Sequence, residues 1–214
     1  MFDGKFHAMT GMATGEQDTA VAFQKAALRA RMLASRRLIP EQSRAEMSHS
    51  IAGHVLRLPE ILTARSIHLY LSIPVHAEVD TAPIIEGLGA LGKAILVPVI
   101  REGKLFSAAF RKGDPLLPGQ FGQPEPEVVS IVEESYLDVV LMPLLAFDGS
   151  GYRLGYGKGY YDFFLQRLSK QGRNPCRIGL SFSQQMVDEI PANEWDEVLD
   201  GVVHEQGIMR FSKS

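Results

Sequence analysis

Two short apolar runs, Ser66-Ile-His-Leu-Tyr-Leu71 and Ala94-Ile-Leu-Val-Pro-Val-Ile100, flank a segment from Thr81 to Leu91 whose apolar residues recur at helical spacing. Strand, helix and strand in that order form the crossover unit that parallel strands require, because a tight turn can join only antiparallel ones. The rest of the chain extends the pattern. Asp18 is placed to cap a helix running to about Leu38, stopped before Pro40, and Pro40 fits the first turn of a second helix over roughly Glu41 to Leu58. Lys104 to Phe110 and Asp138 to Leu141 read as strands, Tyr160 to Leu168 as a helix, and Arg177 to Ser181 and Asp200 to His204 as the last interior strands. Gly113 to Pro126 holds three Gly and four Pro and reads as a loop. The expected fold is α/β: one domain, residues 18–214, with a central mostly parallel sheet flanked by helices and no internal repeat.

Residues 1–17 mix Gly, Thr, Met and Asp without a period and lack the basic start and apolar core of a secretory signal. They read as a flexible N-terminal extension, and a cytoplasmic protein is expected. The 214 residues carry 22 Lys and Arg against 25 Asp and Glu, a net charge of −3, which leaves no overall electrostatic footprint for nucleic acid or an anionic membrane. The longest apolar run, Val139 to Phe147, contains Pro143 and has about half the length of a membrane span. Cys176 is the single cysteine, so no internal disulfide exists, and a small buried hydrophobe is its plainest reading. The six histidines show no zinc-binding spacing, and no nucleophile elbow G-x-S-x-G occurs.

Glycine is the unusual entry in the composition. Five of the 20 glycines fall between Gly149 and Gly159, in Phe147-Asp-Gly-Ser-Gly-Tyr-Arg-Leu-Gly-Tyr-Gly-Lys-Gly-Tyr-Tyr-Asp162. The segment lies between a strand and a helix, where ligands of open α/β sheets bind. Gly155, Gly157 and Gly159 alternate, so backbone amides can face an anion without side chains in the way. The following helix adds its N-terminal amides, and Arg153 and Lys158 add charge-assisted donors for phosphate. The spacing matches neither of the two best-known phosphate loops. A tight loop using glycine only for left-handed turns is the competing reading. Asp162 suits a magnesium ion on a polyphosphate and equally the dipole of its own helix. Tyr156, Tyr160 and Tyr161 offer flat surface to a ligand ring, or to the core. Lys25, Arg29 and Arg36 share one side of the first helix, as a phosphate-facing row or a solvated basic face.

The string Arg153-Leu-Gly-Tyr-Gly-Lys-Gly-Tyr-Tyr-Asp162, with Met142-Pro143 and Phe147-Asp148 before it, resembles the signature of the 5-formyltetrahydrofolate cyclo-ligase family, also called methenyltetrahydrofolate synthetase. The likeness extends to the basic first helix, to Glu78-Val-Asp-Thr81 and to Trp195-Asp-Glu-Val-Leu-Asp200. It implies a fold similar to that of sugar-phosphate isomerases and CoA transferases. It also implies an ATP- and Mg2+-dependent enzyme that converts 5-formyltetrahydrofolate to 5,10-methenyltetrahydrofolate, with release of ADP and phosphate. By the same resemblance Lys25, Arg29 and the loop Arg153, Leu154, Gly155, Tyr156, Gly157, Lys158, Gly159, Tyr160 and Tyr161 would bind ATP, with Arg153 and Lys158 catalytic. Ile73, Glu78 and residues Tyr156, Gly157, Lys158, Gly159 and Tyr160 would meet the folate, with Asp80 the alternative to Glu78. Asp162 and Asp196 would match the family's magnesium ligands. The implied partners are small molecules alone, with neither nucleic acid nor membrane, and the implied state is a monomer or weak homodimer. An ATP-independent isomerase on the same scaffold and a non-catalytic folate- or nucleotide-binding module are the rival functions.

Overall fold

The chain is described by a computed structural model from residue 6 to residue 212, except residues 121 and 194 and the side chains of residues 6–18 and 135. Among these residues α1 (Phe6–Arg37), α2 (Glu41–Val55) and α3 (Pro59–Thr63) precede the first strand, β1 (Ser66–Leu69). Next come α4 (Ala82–Ala90), β2 (Ala94–Arg101), β3 (Lys104–Phe110), β4 (Leu116–Pro118) and β5 (Pro124–Pro126). The second half contains β6 (Val139–Pro143), β7 (Ala146–Phe147), β8 (Arg153–Leu154), α5 (Tyr160–Lys170), β9 (Cys176–Leu180), β10 (Gly201–His204) and β11 (Gly207–Arg210).

The expected crossover unit is β1–α4–β2, with Ser66 opposite Ala94 and His68 opposite Leu96 in parallel register. It sits inside a seven-stranded sheet ordered β11-β10-β9-β6-β1-β2-β3. The five inner strands are parallel, and β3 and β11 close the two edges antiparallel to their neighbours. This is the expected α/β domain, a mostly parallel sheet with helices on its faces.

Side-chain alternation assigns the faces. Ile67, Leu69, Val139, Leu141 and Ile178 pack with Ile51 and Val55 of α2 and with Ile84 and Leu88 of α4. Leu96, Val140, Met142 and Val202 point the other way, onto Phe164, Leu165 and Leu168 of α5. Because both faces are covered, the inner strands can be apolar throughout, which is why they read as short continuous runs. Each large side chain so buried contributes about 1.5–3 kcal/mol.

Several element boundaries differ from the sequence reading. The first helix begins at Phe6, twelve residues ahead of the expected cap Asp18 (18 − 6). Pro40 is the N-cap of α2 rather than part of its first turn, with φ −55 and ψ 143. That helix ends at Val55, not Leu58, because Leu58 precedes Pro59 and is held extended, φ −64 and ψ 134. Pro59 then starts α3 as its first residue. The proline-rich loop contains the small β4–β5 ribbon. The two-residue turn Glu102-Gly103 joins β2 to β3 with positive φ at both positions, 51 and 70, which matches the twist of the strands. Among the described residues no helix is long and apolar enough to cross a membrane.

A polar pair, His68 and Ser107, lies inside the apolar sandwich. His68 of β1 is fully buried, with Nδ1 2.9 Å from Ser107 Oγ and its ring 5.1 Å from that of Phe164. Burial lowers its pKa to about 3, against 6.5 in a solvated chain. Between those values the unfolded chain binds a proton that the folded chain refuses, so stability rises with pH across the window and levels off above it. In urea titrations His68→Gln should flatten this rise by up to about 1.4 kcal/mol per pH unit. An identical slope in the variant would mean that His68 is protonated in the fold.

Candidate active site

The strand order reverses between β1 and β6: β1 leads through α4 to β2 on one side, whereas β6 leads through α5 to β9 on the other. At such a reversal the two outgoing segments diverge and leave a crevice beyond the carboxyl ends of the strands. Here that crevice is a cleft of about 550 Å³. It brings together Lys25, Arg29, Ile73, Glu78, the whole run Arg153 to Asp162, and Asp196.

The glycine segment is anchored before it reaches the cleft. β7 and β8 pair antiparallel, and the buried Asp148 closes their turn by accepting from Ser150 N at 2.9 Å and Tyr152 N at 3.1 Å. Its second oxygen accepts from Ile190 N at 2.9 Å, tying the ribbon to the chain that precedes β10. Beyond β8, Gly157 and Gly159 adopt φ of 91 and 68, which side chains rarely allow. A Cβ on Gly157 would also lie 3.1 Å from the guanidinium of Arg29, and Gly159 is the N-cap of α5. The start of α5 therefore turns its N-terminal amides toward the loop.

Cations and carboxylates alternate around this loop. Arg29 Nε donates to Gly155 O at 3.0 Å, and burial lowers its pKa against the opposing attraction of Asp196. Lys25 pairs with Asp196 at 2.5 Å, and Asn193 N donates to the same oxygen at 2.7 Å. Arg153 donates to Asp162 at 2.7 Å and to Glu197 O at 2.5 Å. Its side chain is only 5% exposed, so it is clamped between β8, α5 and the segment leading to β10. Lys158 is exposed at the cleft rim. Glu78 and Asp80 part company. Glu78 is buried and lines the cleft, whereas Asp80 is exposed and accepts from Ala82 N at 3.0 Å at the start of α4. Tyr156, Tyr160 and Tyr161 are all half-buried on the cleft wall, with Tyr160 and Tyr161 also packed against the α5 core.

Arg36 has a structural consequence that its place in the basic row did not reveal. It is 2% exposed, and it donates to Leu144 O at 3.1 Å and to the Tyr156 hydroxyl at 2.6 Å. Tyr156 in turn donates to Glu78 Oε1, and Glu78 Oε2 accepts from Ile73 N at 2.8 Å. Burial, reinforced by the Glu78 charge, pushes the Tyr156 hydroxyl well above its ordinary pKa, so it stays protonated and able to donate. The cleft also contains Trp195, the first residue of the Trp195–Asp200 string, and His76 and Phe163, which neither spacing nor motif had singled out. Phe163 and Trp195 are exposed apolar residues, and that property appears only once the cleft exists.

Asp162 and Asp196 both line the cleft, and the bonds above reach Oδ1 of the first and Oδ2 of the second. Two carboxylates beside the glycine loop suit Mg2+, which takes one or two protein carboxylates and completes its shell with water or ligand oxygens. Among the described residues no group of three or more His, Cys, Asp or Glu is placed to hold a metal ion.

Arg36→Ala would leave the Tyr156 hydroxyl, Leu144 O and the buried Glu78 without their shared cation. It should lower unfolding stability by about 3 kcal/mol in urea titrations. A loss within about 0.5 kcal/mol would reduce Arg36 to a surface-like residue.

Residues 21–205 match the model of the 5-formyltetrahydrofolate cyclo-ligase family. The chain is 34% identical to the 5-formyltetrahydrofolate cyclo-ligase of Escherichia coli over 173 residues, 78% of this chain and 92% of that one. It is 32% identical to the enzyme of the same name from Saccharomyces cerevisiae, across 78% of this chain and 88% of that one. Among solved structures, the 5,10-methenyltetrahydrofolate synthetase of Aquifex aeolicus superposes with a TM-score of 0.76 at 29% identity, covering 89% of this chain and 94% of that one. With the glycine loop, its cations and its acidic partners gathered at one strand-order reversal, and with the match spanning nearly all of the sheet, the chain belongs to the 5-formyltetrahydrofolate cyclo-ligase family.

Proposed function

We propose that this enzyme converts 5-formyltetrahydrofolate and ATP to 5,10-methenyltetrahydrofolate, ADP and phosphate, with Mg2+ bound alongside the triphosphate. The observation that carries the reading is the glycine loop running directly into α5, with Lys25, Arg29, Arg153 and Lys158 around the same cleft. A polyphosphate is the ligand that such a concentration of cations and backbone amides favours.

The chemistry needs an activated oxygen. A formamide oxygen leaves poorly, so the γ-phosphoryl group moves onto it: the new O–P bond forms as the bond to ADP breaks. N10 of the folate attacks the formyl carbon and loses its proton. Phosphate then departs with the former C–O bonding pair, leaving the methenyl bridge. In this scheme Lys158 and the Gly155–Gly159 backbone hold the phosphates in line, and Arg29 and Lys25 offset their charge. Arg153 acts mainly by positioning, because its donors already hold Asp162 and the chain at Glu197. Glu78, Ile73 and the tyrosines form the folate side. Asp162 and Asp196 would hold Mg2+, whose part is to neutralise charge that builds on the transferring phosphoryl group.

The direct test is the appearance of 5,10-methenyltetrahydrofolate absorbance from 5-formyltetrahydrofolate, with ATP and Mg2+ each omitted in turn. Product that forms without ATP would sink the reading. Lys158→Ala should keep the fold and lose at least about 100-fold in turnover. Asp162→Asn should raise the Mg2+ needed for half-maximal rate by about tenfold, an expectation drawn from the loss of one charged ligand. A lowered melting temperature with an unchanged Mg2+ titration would instead assign Asp162 to the Arg153 clamp alone.

A further inference from the structure

The chain between β1 and α4 is closed on itself. Pro74 opens a single 3-10 turn, His76 N donates to Ile73 O at 2.9 Å, and Ala77 N donates to Pro74 O at 2.9 Å. Ala77 then takes the left-handed conformation, φ 52 and ψ 38, although it is not glycine. Backbone strain of this kind persists only where its surroundings enforce it. Here the enforcement is visible, since the Glu78 carboxylate reaches back to Ile73 N and closes the neck of the turn.

The product of this closure is one imidazole held against the cleft. The ring of His76 lies 5.3 Å from that of Tyr156, tilted by 34°, and both line the cleft with Glu78. His76 Nδ1 is buried and has no hydrogen-bond partner among the described residues. The Tyr161 hydroxyl, on the same cleft wall, is buried and unpartnered as well, and its pKa is raised by burial and then by the Glu78 charge. Unpaired buried polar atoms are costly, and natural folds retain few of them. The turn that Glu78 enforces thus presents at the cleft a polar atom for which the described residues supply no partner.

We propose that His76 is a folate-contacting residue that sets affinity for the pterin half of the substrate. Its ring extends the flat surface of Tyr156, and its Nδ1 exchanges a hydrogen bond with the edge of the pterin. The chemistry discriminates between the two substrates. The Glu78 carboxylate beside His76 repels phosphates, whereas a pterin edge offers N–H donors to a carboxylate and both donors and acceptors to an imidazole of either tautomer. The cations that suit a triphosphate, Lys25, Arg29 and Lys158, belong to α1 and the glycine loop. This inference rests on the assignment of the Glu78 side of the cleft to folate.

The test is equilibrium binding of 5-formyltetrahydrofolate without ATP, followed by quenching of the single tryptophan, Trp195, together with the KM for ATP under turnover. His76→Phe keeps an aromatic ring and removes the nitrogen. It should weaken folate binding about tenfold, while the KM for ATP stays within about twofold and the melting temperature does not fall. His76→Asn, which returns a polar atom near the position of Nδ1, should recover most of the affinity and remains informative if the phenylalanine does not pack. Unchanged folate binding in both variants, or equal losses for folate and ATP, would overturn the proposal. Absence of ATP-dependent methenyl formation in the unaltered enzyme would instead remove the proposed reaction, while binding in these variants still decides the role of His76.

Discussion

The guanidinium of Arg36 is a charge buried where water cannot reach it, and the arrangement of the cleft follows from the partners it requires. Its donors reach the carbonyl just past β6 and the hydroxyl of Tyr156, which passes a hydrogen bond to Glu78. Glu78 bonds back to the first residues of its own loop. Four segments distant in sequence, α1, the exit of β6, the glycine loop and the exit of β1, are thereby tied to one chain of bonds. Removing a charge from water is expensive unless hydrogen bonds replace it, and Nη1 and Nη2 of Arg36 depend on these partners, so the chain of bonds tolerates few alternatives. A loop with glycine at positions 155, 157 and 159 has little intrinsic stiffness. Tyr156 supplies it from the middle.

Around this chain of bonds the cleft balances opposite charges. Asp196 with Lys25, and Asp162 with Arg153, are ion pairs only partly open to solvent, and each joins elements that pack around the loop. Their contribution to stability is small where water screens them. Their larger effect is placement, because they hold carboxylates and cations within one cleft without net repulsion. In the proposed reaction a triphosphate would meet cations already in position, so less reorganisation would accompany it. The overall charge of −3 conceals this local pattern entirely.

Much of the architecture was legible from residue pattern. Inner parallel strands are buried on both faces, and the runs at Ser66, Ala94 and Val139 therefore carry a strong signal. The glycine loop was legible because backbone freedom, a following helix and basic residues coincide within a few positions. Other features were not. The edge strand β11 alternates between half-buried and exposed positions over four residues, too short a stretch to register as a period. The end of α2 was decided by Pro59, which acts on the residue before it rather than on the helical pattern. Arg36 was visible only as one cation in a basic row, since helical spacing tells which residues share a side but not what covers that side. His76 carried no signal at all, because its position depends on a turn closed by Glu78.

The sequence by itself therefore determined the α/β class, the crossover unit, the glycine loop between a strand and a helix, and the family, since each is written in local spacing or in a contiguous motif. Tertiary structure decided the rest. The strand order reversal between β1 and β6 creates the cleft, and no local pattern encodes which strands become neighbours. The choice of Glu78 over Asp80 for the cleft wall followed from a two-residue difference in a folded turn, which sent one carboxylate to Tyr156 and the other to cap α4. Burial of Arg36 followed from α1 meeting the exit of β6 at Leu144 and the glycine loop at Tyr156. Local sequence sets the periodicity and the turns, but desolvation and long-range hydrogen bonding exist only after distant segments meet.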